Sequence, residues 1–129
     1  MTSTESADTR NAALLAQWVE SFNAKDVERF LSLHSDDFDY RLPRFGHAAR
    51  GVAAHRETVA GFIAAVPDRA ITVRQTLFQG DYAVVIYAYE GTSSGVMTGL
   101  PPAGERVSLE VCAVMRFRAG KLAEQVDYS

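Results

Sequence analysis

The chain has a single cysteine, Cys112. It therefore has no internal disulfide, which suits a reducing compartment. No apolar stretch is long enough to cross a bilayer. The first residues, Met1 to Asp8, are polar and lack the apolar centre of a secretory leader. Basic side chains are in deficit: 13 Lys and Arg stand against 16 Asp and Glu, a formal charge of −3. Nucleic acid and anionic membranes both select a basic patch, so neither is an expected partner. Together these absences point to the cytoplasm. Repeats and internal linkers are missing as well.

What is present is an ordinary globular composition, 47% hydrophobic and 22% charged over 129 residues. That is enough chain for one domain with a core and a pocket. Residues 1–9 form a polar lead that is expected to fray. Helical spacing begins after it. Leu14, Trp18 and Phe22 stand four apart, with Leu15 and Val19 alongside, and predict a helix over Asn11–Asn23. Asp26 is placed to cap a second short helix whose Val27, Phe30 and Leu31 face inward. His34 then reads as a helix-end residue, and Ser35-Asp36-Asp37 as a break. Phe38–Leu42 reads as a short strand stopped by Pro43, and 43–51 as a loop. Val52–Val66 is a third helix with His55, Val59, Phe62 and Ile63 on its apolar face.

From Ala70 onward the pattern is β. Runs at 70–78, 82–92, 107–117 and 122–128 are separated by turns at Gly80-Asp81, Gly99 to Gly104 and Ala119-Gly120. Three helices followed by a mostly antiparallel sheet make an α+β fold. A strongly curved sheet wrapped on helices forms a cone with an internal pocket, and its mouth is a natural ligand site. The run Tyr82 to Tyr89 is apolar at every position, which predicts burial on both faces. Helices cover one face, so a second copy of the chain is the expected cover for the other: a homodimer through the sheet.

These residues together resemble the SnoaL-like polyketide cyclases, a branch of the nuclear-transport-factor-2-like superfamily. The resemblance rests on Phe22 to Asp26, Gly51, Pro67-Asp68, Gly80-Asp81, Gly91-Thr92, Gly99 to Gly104 and Gly120-Lys121-Leu122, in that order. It implies a single α+β cone over 10–129, acting on a small apolar or aromatic, polyketide-like molecule without metal or organic cofactor. In the final strand the family's catalytic Asp corresponds to Asp127. Its usual histidine position is Gln125 and its tryptophan position is Val126, and Ser93 stands where a histidine often follows Gly-Thr. Ketosteroid isomerase chemistry fits worse, because the three groups it needs would fall on Trp18, Leu42 and Ala113.

Alternation in the last strand puts Ala123, Gln125 and Asp127 on one face. A carboxylate in an apolar pocket has its pKa raised by burial, which suits a general acid/base, and Gln125 is placed to hydrogen-bond a developing oxyanion. The expected pocket walls are Trp18, Tyr40, Phe45, His55, Phe62, Tyr87, Tyr89, Met97, Ala113 and Met115. Arg41, Arg44 and Arg50 are placed to meet an acidic substrate, and His47 sits in the loop toward the mouth. Cys112 reads as a small core residue. The His, Asp and Glu spacings match no metal motif. Three activities stay open on this scaffold: intramolecular aldol cyclisation or a related isomerisation, epoxide opening or dehydration, and ligand binding without turnover.

Overall fold

A computed structural model describes the backbone of residues 3–129 and the side chains of residues 7–129. Helices α1 (Ser3–Asn23), α2 (Val27–Ser32) and α3 (Val52–Ala65) pack on a curved six-stranded sheet. The strands are β1 (His34–Leu42), β2 (His47–Arg50), β3 (Ala70–Gln79), β4 (Tyr82–Thr92), β5 (Arg106–Arg118) and β6 (Lys121–Tyr128). The order across the sheet is β2-β1-β6-β5-β4-β3, and β1 runs parallel to β6 while the other neighbours are antiparallel. This is the α+β cone expected from the sequence.

The helical stripe of α1 buries Leu15, Trp18 and Phe22 against the sheet. Asp26 caps α2 as anticipated, its carboxylate accepting from the Arg29 amide at 3.2 Å. Helix α1 begins at Ser3 rather than Asn11, because its first turns carry no apolar stripe from which to read a period. The part of the fraying expectation that falls on Met1 and Thr2 lies outside the described residues.

The strand after α2 also starts earlier than expected. His34 is its first residue, buried and paired with Leu122, and Ser35-Asp36-Asp37 continue it instead of breaking it. These polar residues span an irregularity in the β1–β6 ladder, which pairs His34 with Leu122 and resumes at Asp39 with Glu124. The supposed loop 43–51 contains a one-turn 3-10 helix, Pro43–Phe45, and then β2, hairpinned onto β1.

Ala119 and Gly120 both have positive φ, 51° and 76°. This backbone suits the tight β5–β6 hairpin, so the turn fixes which residues of β6 face inward. Gly91 is needed for a different reason: a Cβ there would overlap Val66 and Asp68. The glycine lets β4 pass close under the α3–β3 connection, where Asp68 accepts from the Thr92 amide at 2.7 Å and hydroxyl at 2.9 Å.

Residues facing the helices alternate with outward ones along β4, β5 and β6. Cys112 falls on the outward set and is half-buried, not a core residue. Its neighbours Val111 and Ala113 take the inward positions.

Candidate functional site

The inner face of β6 carries Ala123, Gln125 and Asp127, all buried. Tyr40 enters from β1, whose residue pairs with Gln125 across the parallel ladder. Tyr87 enters from β4. On β5, between these strands, Ala113 pairs with Asp127. Its methyl group is too small to block the Tyr87 hydroxyl, which reaches past it to the carboxylate.

Three donors converge on Asp127. The hydroxyls of Tyr40 and Tyr87 donate to Oδ2 at 2.6 and 3.2 Å. The Gln125 amide donates to Oδ1 at 2.8 Å. Burial pushes the Asp127 carboxyl above its ordinary pKa, and the Tyr40, Gln125 and Tyr87 hydrogen bonds pull it back. Burial, followed by the charge of Asp127, holds both phenols well above their ordinary value, so they stay protonated and donate. Oδ2 is occupied twice and Oδ1 once, so Oδ1 keeps the lone pair free for chemistry.

The carboxylate borders a hollow of about 700 Å³, counting its open mouth. Trp18, Tyr40, Phe45, His55, Phe62, Tyr87, Tyr89 and Met97 line it together with Gln125 and Asp127. Ala113 and Met115 do not. They are fully buried in the core without lining the hollow. Leu109 and Val111, earlier on the same face of β5, form the wall instead. Alternation along β5 already places these two on the inward face, so the pattern held the signal.

At the mouth, Phe45 packs on Gly99, where an added Cβ would lie 2.9 Å from the ring. Met97 and Leu100 flank that contact and line the opening. None of the expected arginines lines the hollow. Arg41 and Arg50 are exposed and lie 3.8 and 4.0 Å from Asp39, and Arg44 lies over the Phe45 ring. His47 is half-buried, with Nε2 2.8 Å from the Thr58 hydroxyl.

Two buried histidines lie side by side: His55 lines the hollow next to Tyr40, and His34, which the sequence reads as a helix end, packs against His55 without lining the hollow. Burial holds both neutral, with pKa values lowered to about 4 for His34 and about 3 for His55. Among the described residues, no group of three or more His, Cys, Asp or Glu side chains is arranged to hold a metal ion.

Solved structures share this fold. A proposed SnoaL-like polyketide cyclase from Jannaschia sp. CCS1 superposes with a TM-score of 0.82 at 19% identity, over 93% of this chain and 85% of that one. IdmH from Streptomyces antibioticus, a proposed polyketide cyclase, gives 0.76 at 24% identity, over 91% and 89%. TerC, crystallised with polyporic acid, gives 0.77 at 22% identity, over 92% and 90%. No curated protein sequence matches the chain. The family model for the SnoaL-like polyketide cyclases matches residues 12–129, from the middle of α1 through the strand that carries Asp127, and the chain belongs to that family.

Proposed function

We propose that the chain is a cofactor-independent enzyme that closes a ring in a small, flat, polyketide-like molecule, with Asp127 as general acid/base. One observation carries this reading. A carboxylate only 4% exposed adjoins an apolar hollow and keeps one oxygen lightly engaged. Ionised Asp127 takes the acidic α-proton of the substrate through Oδ1. The resulting enolate carbon attacks a carbonyl of the same molecule, and a C–C bond forms as the carbonyl becomes an alkoxide. Protonated Asp127 then returns its proton to that alkoxide. The second N–H of the Gln125 amide is available to the developing oxyanion. Tyr40 and Tyr87 fix the carboxylate orientation throughout, and the aromatic walls suit a flat ring system.

Membership of the cyclase family favours ring closure over epoxide opening or dehydration by the same carboxylate. TerC holds polyporic acid on a similar fold, which supports a small aromatic ligand as the partner. Asp127→Asn is nearly isosteric and tests the reading. Conversion of an aromatic compound bearing a β-keto ester and a second carbonyl, followed by chromatographic separation of the isomeric cyclised product, is expected to fall at least about a hundredfold while fold and ligand binding persist. Unchanged conversion, or ligand recovered unaltered from the wild type, ends this reading.

The same proposal includes a dimer. On the outer sheet face Leu77, Val84, Val114 and Val126 form one cross-strand row, and Ile86, Cys112 and Tyr128 stand in the next. Leu77 and Tyr128 are 59% and 51% exposed. A second copy packed on this face removes the patch from water, as the unbroken apolar run of β4 requires. The lone half-buried Cys112 and the acidic balance suit the cytoplasm.

A further inference from the structure

His34 opens β1 and His55 sits in the first turn of α3. Each is 4% exposed. Their ring centroids are 4.9 Å apart, and both pack against Phe30 and Phe38. His34 Nδ1 lies 2.9 Å from the Phe30 carbonyl oxygen. A carbonyl only accepts, so Nδ1 carries the proton. In a neutral ring His34 Nε2 is then a bare lone pair. That atom is sealed from solvent and has no partner, and the same holds for His55 Nδ1.

Two adjacent imidazoles thus each present a sealed, unpaired nitrogen. If both were lone pairs, each would carry the desolvation cost of an unmade hydrogen bond, about 1–3 kcal/mol. A proton on His55 Nδ1 removes the conflict, because His34 Nε2 can accept it. As the rings stand the two nitrogens are not hydrogen-bonded to each other; with centroids 4.9 Å apart, a rotation about the soft terminal histidine torsion would close that contact. His55 lines the hollow, and its Nε2 is not among the sealed, unpaired nitrogens.

We propose that the Phe30 carbonyl, His34 and His55 form a proton-ordered chain that leaves His55 Nε2 as a fixed hydrogen-bond acceptor facing the hollow. His34 is the positioning residue, and His55 is the group that meets the ligand. The hollow then offers acceptors at Asp127 and at His55, with the Tyr40 ring between them: its hydroxyl donates to Asp127 and its centroid is 5.2 Å from His55. A molecule that satisfies both is an aromatic or enolic compound with a hydroxyl on its His55 side. This substrate class rests on reading the hollow as a ligand site; the tautomer order does not depend on turnover.

Long-range ¹H–¹⁵N correlation spectra of the full chain, labelled at histidine, test the order near neutral pH. In the wild type His55 is expected as the Nδ1–H form, with Nε2 in the unprotonated range. His34→Phe removes the acceptor and is expected to move the His55 proton toward Nε2. Addition of β-naphthol is expected to shift the His55 Nε2 resonance toward the hydrogen-bonded range, and naphthalene is expected to leave it in place. A wild-type His55 found as Nε2–H overturns the proposal, and that spectrum decides the case even if His34→Phe fails to fold. A tautomer unchanged in a folded His34→Phe also overturns it. If β-naphthol quenches Trp18 fluorescence without moving His55 Nε2, the assigned ligand contact is wrong. Activity that survives Asp127→Asn bears on the catalytic reading and leaves these spectra unaffected.

Discussion

The Tyr40 hydroxyl donates to Asp127 Oδ2 at 2.6 Å, joining residues 87 positions apart in the chain. The bond crosses the parallel β1–β6 pair and links the first strand of the sheet to the last. It stabilises the ionised carboxylate and so opposes the burial that favours the protonated form. Tyr40→Phe should therefore raise the Asp127 pKa further. The acidic limb of the kcat/KM pH profile is expected to move to higher pH, with about tenfold lower kcat/KM near neutrality. Tyr87→Phe should act in the same direction but less, because its bond is longer, at 3.2 Å. A limb that stays in place in both variants would assign the profile to another group.

The two buried histidines make stability depend on pH. Each has a folded pKa below its unfolded value of 6.5, at about 4 for His34 and about 3 for His55. The unfolded chain therefore binds more protons as pH falls below 6.5, and the stability present above that pH is lost progressively down to the folded values. His34 alone accounts for about 2–3 kcal/mol between pH 6.5 and 4. Asp127 has the opposite sign, since its raised pKa favours the folded state once it is protonated. Urea unfolding from pH 7.5 to 4.5 should show a falling midpoint, and His34→Gln should flatten that fall. An equally steep fall in a folded His34→Gln would place its origin elsewhere.

Gly99 has φ +95° and lies against the Phe45 ring at the mouth. Gly99→Val adds both backbone strain and a clash at that contact, at a cost of about 1–3 kcal/mol. Thermal unfolding is expected to occur several degrees lower. Phe45 must also shift, so β-naphthol should associate and dissociate at altered rates in stopped-flow quenching of Trp18. Rates equal to wild type would mean that Phe45 does not control entry.

The apolar outer face predicts a concentration-dependent dimer in sedimentation velocity. Val84→Lys puts a charge in the middle of the Leu77–Val84–Val114–Val126 row and is expected to yield monomer with the helical signal intact. A wild-type monomer at tens of micromolar would remove the dimer from the proposal.

Much of this fold is legible because its signals are local. The spacing of Trp18 and Phe22, the Asp26 cap and the Ala119-Gly120 turn each act within a few residues, so the chain states them directly. The inward set Gln125 and Asp127 follows from that turn and from alternation. The identity of the Asp127 partners is not local. Tyr40 and Tyr87 are separated from it by 87 and 40 positions, and only strand order brings them to one carboxylate. The same order turned His34 from a helix end into a buried strand residue. It also set the depth of the hollow, so that Leu109 and Val111 became walls while Ala113 and Met115 became core. Periodicity tells a residue which face it shares. How far along that face the cavity ends depends on which side chains fill the space from the opposite layer, and packing decides that only once the sheet has curved.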